Sequence, residues 1–281
     1  MRIANINGRL NVISGDHAWD VETSSRGLFS ADPQAVYARW PQFVEWASAG
    51  PPGEPRTFAR DRLGPPVPRP AQVFAIGLNY RGHAAESGFA VPASPTVFTK
   101  FVTAIAAPGG DILLPAGDVD WEVELVVVLG QQARNVPPSQ AWNYVAGLTV
   151  GQDLSERRTQ LAGPAPQYSL GKSFPGFAPI GPCLVTPDEL GSVDDIEIGC
   201  SVNGEPVQKG QTRDLIFPVP DLIAYLSSVL TLLPGDIIFT GTPDGVGQGR
   251  NPQRFLSAGD ELVSHAVGIG EMRHRFTTPE P

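Results

Sequence analysis

Asp120-Trp121-Glu122-Val123-Glu124-Leu125-Val126-Val127-Val128-Leu129-Gly130 joins two glutamates, two residues apart, to an unbroken apolar run. Side chains alternate faces along a strand, so Glu122 and Glu124 point to one side while Trp121, Val123 and Leu125 point to the other. The continuous run from Leu125 to Leu129 is the pattern of a strand covered on both faces, and acids leading into such a strand need a partner. Neighbouring carboxylates raise each other's pKa and cost stability unless a cation neutralises them. Either the pair lies on the solvent face of an edge strand, or it holds a hard divalent metal. A third acid favours the metal. Val145-Ala146-Gly147-Leu148-Thr149-Val150-Gly151-Gln152-Asp153 is a second β run, and a neighbouring strand would deliver Asp153 beside the pair. Glu122, Glu124 and Asp153 are therefore the candidate metal ligands.

Working outward, the chain from Ala71 consists mainly of short β-branched runs separated by Gly and Pro: Val73 to Ile76, Thr96 to Phe101, Val119 to Leu129, Val145 to Val150, Ile196 to Val202, Asp236 to Thr240 and Glu261 to Ile269. Asn203-Gly204 marks a hairpin. Pro220 to Leu232 reads as a helix with Leu222, Ile223, Leu226, Val229 and Leu230 on one face. Before residue 71, short strands and one helix-like stretch from Gln34 to Ser48, interrupted by Pro41, precede a proline-rich linker from Pro51 to Pro70. The expectation is a mainly β (α+β) protein: a small N-terminal α/β domain over 1–70, then a large sandwich, roll or barrel over 71–281.

Composition narrows the function. A chain of 281 residues can bury a large core, and a net charge of -9 with no basic run gives nothing to neutralise nucleic-acid phosphates or to seek an anionic membrane. Apolar runs fall short of the roughly 18 residues of a membrane span, and Met1 to Asn5 opens a strand, so the expected location is cytoplasmic. Cys183 and Cys200 have no C-x-x-C spacing and are expected to be buried thiols.

Three further clusters carry chemistry. In Gly77-Leu78-Asn79-Tyr80-Arg81-Gly82-His83-Ala84-Ala85-Glu86-Ser87, a helix would place His83 and Glu86 at i and i+3, either as a surface pair or as an acid–base dyad in which the carboxylate fixes the imidazole tautomer. Lys172 lies in Gly171-Lys172-Ser173, but a phosphate loop would need glycine where Pro166 stands. It is a surface lysine or a partly buried cation serving an anionic ligand. Thr240-Gly241-Thr242-Pro243-Asp244-Gly245-Val246-Gly247-Gln248-Gly249 lacks the following helix of a dinucleotide fingerprint and reads as a ligand-lining turn.

Taken in order, these segments, with Phe177-Ala178-Pro179-Ile180-Gly181-Pro182 and Pro234-Gly235-Asp236-Ile237-Ile238-Phe239-Thr240-Gly241-Thr242-Pro243, resemble the fumarylacetoacetate hydrolase family over about Val73 to Gly270. The resemblance implies a twisted β-roll domain behind a small variable domain, a homodimer, and Mg²⁺ (Mn²⁺ or Ca²⁺ also) held by Glu122, Glu124 and Asp153. It implies that His83 and Glu86 form the dyad on a lid that orders around ligand, that Lys172 faces the substrate, and that Arg157, Gly241 and Thr242 line the site. A small anionic 2-oxo acid is then the expected partner. Mg²⁺ takes about six oxygens, so three carboxylates leave room for two substrate oxygens and a water. The expected reaction is hydrolysis of the carbon–carbon bond of a 2,4-dioxo (acylpyruvate-type) acid through a metal-bound enolate. Oxaloacetate-type decarboxylation, isomerisation of 2-hydroxyhepta-2,4-diene-1,7-dioate and a non-catalytic structural metal are the alternatives. Two departures stand out: Arg158 where many relatives carry Asp, and Pro175 where many carry an acid after Lys-Ser-Phe. Arg158 would favour a second acidic substrate group if it faced the pocket.

Overall fold

Val123–Leu129 is a strand buried along its whole length in the computed structural model, which describes residues 1–88 and 90–278. It is covered on both faces, as its unbroken apolar run requires. Val145–Gln152 pairs with it antiparallel, from Val123 opposite Gln152 to Leu129 opposite Val145. Ile237–Phe239 pairs along its other edge. This register decides the chemistry. One step beyond the ladder, the Asp153 N–H donates to the Glu122 carbonyl at 2.9 Å, so the two runs bring their acids together at one end of the sheet.

The large sheet runs Arg56–Thr57, His17–Asp20, Arg9–Ser14, Arg2–Ile6, Ala178–Val185, Val145–Gln152, Val123–Leu129, Ile237–Phe239, Val73–Gly77, Thr96–Thr99, with Leu63–Gly64 and Ile105–Ala106 attached to its sides. A five-stranded sheet, Glu205–Gln211, Glu197–Val202, Glu261–Ala266, Gly270–Thr277, Gly109–Leu113, packs against it. The core between them is apolar and fully buried, including Leu125, Val150, Ile198, Val202, Leu262 and Phe276. Polar bridges also join the two sheets, from Gln152 Nε2 to Ser264 Oγ and from the Val123 N–H to Gln208 Oε1, both at 2.9 Å. The protein is thus mostly β with few helices. Among the described residues no helix is long and apolar enough to cross a membrane.

Asn203 and Gly204 make the expected hairpin turn between Glu197–Val202 and Glu205–Gln211, with φ of 52° and 81°. The expected helix forms as Val219–Val229, burying Leu222, Ile223 and Leu226 but leaving Val229 exposed. Pro41 starts a helix instead of interrupting one: Ala35–Arg39 is a 3₁₀ turn and Trp40–Ser48 an α-helix with Pro41 in its first turn, where no backbone donor is needed. Ala178–Val185 is a central strand that its Pro179 and Pro182 hide in the sequence. Its pairing to Val145–Gln152 is irregular between Leu148 and Val150, and Thr149 Oγ1 supplies a bond to the Gly181 carbonyl there.

The first segment adds strands to the large sheet directly, Arg2 opposite Val185 and Ile3 opposite Leu184. Residues 51–70 are held along this segment: the Pro65 carbonyl accepts from Asn5 Nδ2 and the Pro66 carbonyl from the Tyr37 hydroxyl. Trp40 packs against Gly130, where a Cβ would stand 2.5 Å from the indole Cδ1. Both cysteines are buried free thiols.

His274, on Gly270–Thr277, is buried with Nε2 at 3.0 Å from the Ala107 carbonyl and no partner for Nδ1 among the described residues. Burial pulls its pKa below the ordinary 6.5, with the Ala107 bond opposing. A depressed folded-state pKa contributes stability that is present above the unfolded value and is lost as pH falls through the folded one. The thermal midpoint of the wild type should therefore drop more steeply than that of His274→Phe between about pH 7.5 and about pH 5.5. Equal slopes would show that the ring protonates without cost.

Candidate active site

Glu122, Glu124 and Asp153 each present a carboxylate oxygen within 4.8 Å of the others, and all three side chains are buried. Their backbone is held by side-chain amides where the ladder ends. Gln152 Oε1 accepts from the Glu122 N–H at 2.8 Å, and Gln208 Oε1 from the Val123 N–H at 2.9 Å. The third acid of the cluster, Glu124, receives the Gly241 N–H on Oε2 at 2.7 Å. Only glycine fits at 241, because φ is +102° and a Cβ would stand 2.6 Å from the Asn79 Cβ. A set of three buried carboxylates with no thiolate or imidazole among them suits a hard divalent cation such as Mg²⁺, Mn²⁺ or Ca²⁺.

Three cations face these acids. Lys172 Nζ donates to Glu122 Oε2 and to Asp153 Oδ2, both at 2.7 Å. Lys100 Nζ donates to Asp153 Oδ1 at 2.6 Å and to the Lys172 carbonyl. Arg157 Nη1 lies 2.7 Å from Glu122 Oε1, while its Nε and Nη2 clamp Asp120 Oδ2 at 3.0 and 2.7 Å. Burial opposes ionisation of Glu122, yet Lys172 and Arg157 outweigh it and hold that carboxyl well below the usual range. Glu124 goes the other way. Burial raises its pKa, and repulsion from Asp153 and Glu122 raises it further. Lys172 keeps its proton because Asp153 and Glu122 overcome the cost of its burial. The same burial lowers the pKa of Lys100, with Asp153 opposing and Lys172 adding repulsion.

A cavity of about 260 Å³ opens onto this cluster. Helix Arg81–Glu86 forms one wall and brings His83 and Glu86 together, with Nδ1 and Oε1 at 2.8 Å. Glu86 Oε2 is fixed by the Gly245 N–H at 2.8 Å, so the glycine turn holds the dyad from behind. Lys172, Arg157 and Thr242 also line the cavity, as do Phe98, Tyr168 and Gln160. Thr242 is committed to the scaffold, donating to the Val123 carbonyl and accepting from Gln208. Gly241, expected against the substrate, has its N–H on Glu124 instead. A larger cleft of about 750 Å³ lies in the first segment, but its Arg9 is spent on Asp20 and Glu22 and no catalytic set converges there.

Neither departure enters the cavity. Arg158 forms a two-bond pair with Asp118, both bonds 2.8 Å, and its side chain is 71% exposed. The pocket-facing alternative for Arg158 is thereby removed, and with it any call for a second acidic substrate group on that account. Pro175 is exposed. The structure also adds residues that motif reasoning passed over. Asp120 is fully buried and accepts from Arg157 and from the backbone of Trp121, Gly247 and Gln248. Lys100 had one signal in the sequence, a lone charge inside the run Thr96 to Phe101.

The family model Fumarylacetoacetate (FAA) hydrolase C-terminal matches residues 72–277. The human mitochondrial oxaloacetate tautomerase is 44% identical over 207 residues, which is 73% of this chain and 66% of that protein, so the chain spans just under two thirds of this curated relative. A crystal structure from Mycobacterium smegmatis is 55% identical with a TM-score of 0.95, each chain covered in full. Maleylpyruvate hydrolase from Sphingobium sp. SYK-6, solved in complex with manganese(II) and pyruvate, is 27% identical with a TM-score of 0.79, again with both chains fully covered.

Asp120 has no substitute as a partner for the Nε edge of Arg157. Asp120→Ala leaves a buried guanidinium half-paired and three backbone donors without an acceptor, and should cost about 3–5 kcal/mol of stability in urea unfolding. A loss under about 1 kcal/mol would mean that water replaces the carboxylate.

Proposed function

Because this chain belongs to the fumarylacetoacetate hydrolase family, we propose that its cavity is the active centre of a divalent-metal-dependent hydrolase that cleaves the carbon–carbon bond of a small 2,4-dioxo (acylpyruvate-type) acid. The observation that carries this reading is the placement of the His83–Glu86 dyad with Glu122 and Glu124 around one cavity, Asp153 lying just behind them and Lys172 bonded to both Glu122 and Asp153. A structural metal would need neither the dyad nor the cavity.

A divalent cation held by Glu122, Glu124 and Asp153 would supply Lewis-acid polarisation of the 2-oxo group and fix the acid's orientation. The remaining work belongs to the chain. Glu86 accepts the Nδ1 proton of His83 and sets the tautomer whose Nε2 is a base. His83 takes a proton from water as the oxygen adds to the 4-oxo carbon. The bond between carbons 3 and 4 then breaks, its electron pair passing to the pyruvate enolate, and the imidazolium returns a proton to carbon 3. Products are pyruvate and a carboxylic acid. Lys172, charged within the cavity wall, offers its ammonium where negative charge grows on the leaving enolate.

The 44% identity to a protein named oxaloacetate tautomerase supports a second reading, keto–enol interconversion of oxaloacetate. The same dyad would move a proton between carbon 3 and the enol oxygen with no bond between carbons broken. Assembly as a homodimer belongs to this proposal. Val97, Phe101, Val102 and Leu170 are exposed beside the edge strand Thr96–Thr99, where Thr99 and Phe101 bond to Ser169 and Ser173.

The test is turnover of acetylpyruvate, fumarylpyruvate, oxaloacetate and 2-hydroxyhepta-2,4-diene-1,7-dioate with Mg²⁺ or Mn²⁺, and again with EDTA. The expected result is metal-dependent loss of the dioxo-acid absorbance with release of pyruvate. His83→Ala should lower it by about 10²–10⁴-fold while leaving metal affinity intact. Loss of enolic oxaloacetate without pyruvate would move the assignment to tautomerase. Unchanged turnover in His83→Ala would remove the dyad from the mechanism.

A further inference from the structure

Lys172 bonds one oxygen of Glu122 and one of Asp153, and apart from Lys172 each acid of the cluster has one oxygen tied back by the protein. Glu122 Oε1 is held by Arg157, Glu124 Oε2 by the Gly241 N–H, and Asp153 Oδ1 by Lys100. Two of these ties come from groups at the cavity or in its turn. Lys100 is different: it does not line the cavity, its side chain is 0% exposed, and its second bond, to the Lys172 carbonyl, holds the ammonium in place. An ammonium so buried is costly unless it is paired, and Asp153 is the carboxylate that pairs with it. Its bond leaves Asp153 with Oδ2 as the oxygen on the side shared with Glu122 Oε2, since Lys172 reaches both.

Resting on the reading that these acids hold a divalent cation, we infer that Lys100 is a positioning residue that makes Asp153 a one-oxygen ligand and so sets the cluster's preference for a small six-coordinate cation over Ca²⁺. Mg²⁺ and Mn²⁺ are served by single oxygens in near-octahedral array, whereas Ca²⁺ takes six to eight oxygens and commonly draws both from one carboxylate. A cation that displaces Lys172, which lies at the cavity, gains Oδ2, but Oδ1 stays with the enclosed Lys100, so Asp153 cannot give both. Partners of this kind behind a metal ligand typically change affinity by about 10–100-fold when removed.

The experiment is calorimetric titration of the purified protein with Mn²⁺ and with Ca²⁺, for wild type and Lys100→Met. Removing a positive charge would by itself tighten both ions, so the ratio of the two dissociation constants is the quantity that reports on Asp153. Wild type is expected to favour Mn²⁺, and the ratio should fall by about tenfold or more in Lys100→Met. A ratio unchanged in a variant that still binds Mn²⁺ would overturn the role of Lys100 while leaving the metal reading standing. No binding of either ion to wild type would overturn the metal reading and the inference with it. Should Lys100→Met fail to fold, counting the waters on Mn²⁺ bound to wild type by ¹⁷O-water line broadening in its EPR spectrum decides the matter. About three waters fit three one-oxygen ligands on a six-coordinate ion, and about two would show a chelating carboxylate and sink the idea.

Discussion

Everything at the acid end of the large sheet depends on mutual neutralisation of buried charge. Asp120, Glu122, Glu124 and Asp153 sit with Lys100, Arg157 and Lys172 where almost no solvent reaches. No member could be kept there alone, because an unpaired ion in such surroundings costs several kcal/mol even after relaxation. The lysines and arginine are therefore a condition for the acids being present at all. Their spacing is what the sheet supplies: antiparallel pairing of Val123–Leu129 with Val145–Gln152 fixes Glu122 against Asp153, and the turn after Ile237–Phe239 fixes Gly241 against Glu124.

This arrangement also explains why the glycine turn is rich in backbone donors. Gly241, Gly245, Gly247 and Gln248 aim their N–H groups at Glu124, Glu86 and Asp120. The turn lines the cavity through Thr242, Val246, Gln248 and Gly249, and its backbone also organises three carboxylates belonging to the protein. The dyad and the charged cluster are thereby coupled through one loop, since the residue that fixes Glu86 lies four positions from the one that fixes Glu124.

Much of this could be read from the sequence where the signal is local. The strand with two acids at its mouth, the Asn203-Gly204 hairpin and the i, i+3 pairing of His83 with Glu86 follow from periodicity and turn chemistry, which act over a few residues. Ala178–Val185 stayed hidden because its prolines argue against a central strand, and only the irregular pairing and the Thr149 hydroxyl make that strand possible. Asp120 and Lys100 stayed hidden for a different reason. Their partners lie 37 and 53 residues away, and although Lys100 is a lone charge in an otherwise uncharged run, nothing near either residue says which distant counter-charge it meets. Arg158 illustrates the converse, a conspicuous charge whose partner Asp118 keeps it at the surface.

Charge balance bears on what the cavity can receive. Counted as fully ionised, the cluster carries four negative and three positive groups, and the raised pKa of Glu124 shows where the surplus falls. A divalent cation would turn one excess negative charge into one excess positive charge. The anion that restores neutrality is then a monoanion, which is what a 2-oxo acid presents through its first carboxylate. Arg157 and Lys172 cannot serve a second carboxylate at full strength, because both are already engaged by the protein's own acids. The cavity lining also includes Phe98, Leu161, Tyr168 and Gln160, surroundings that favour a short uncharged or hydrogen-bonding tail. The second carboxylate of a dianion such as oxaloacetate or fumarylpyruvate would meet mainly neutral groups there, so the charge of the tail should rank substrates within either proposed reaction.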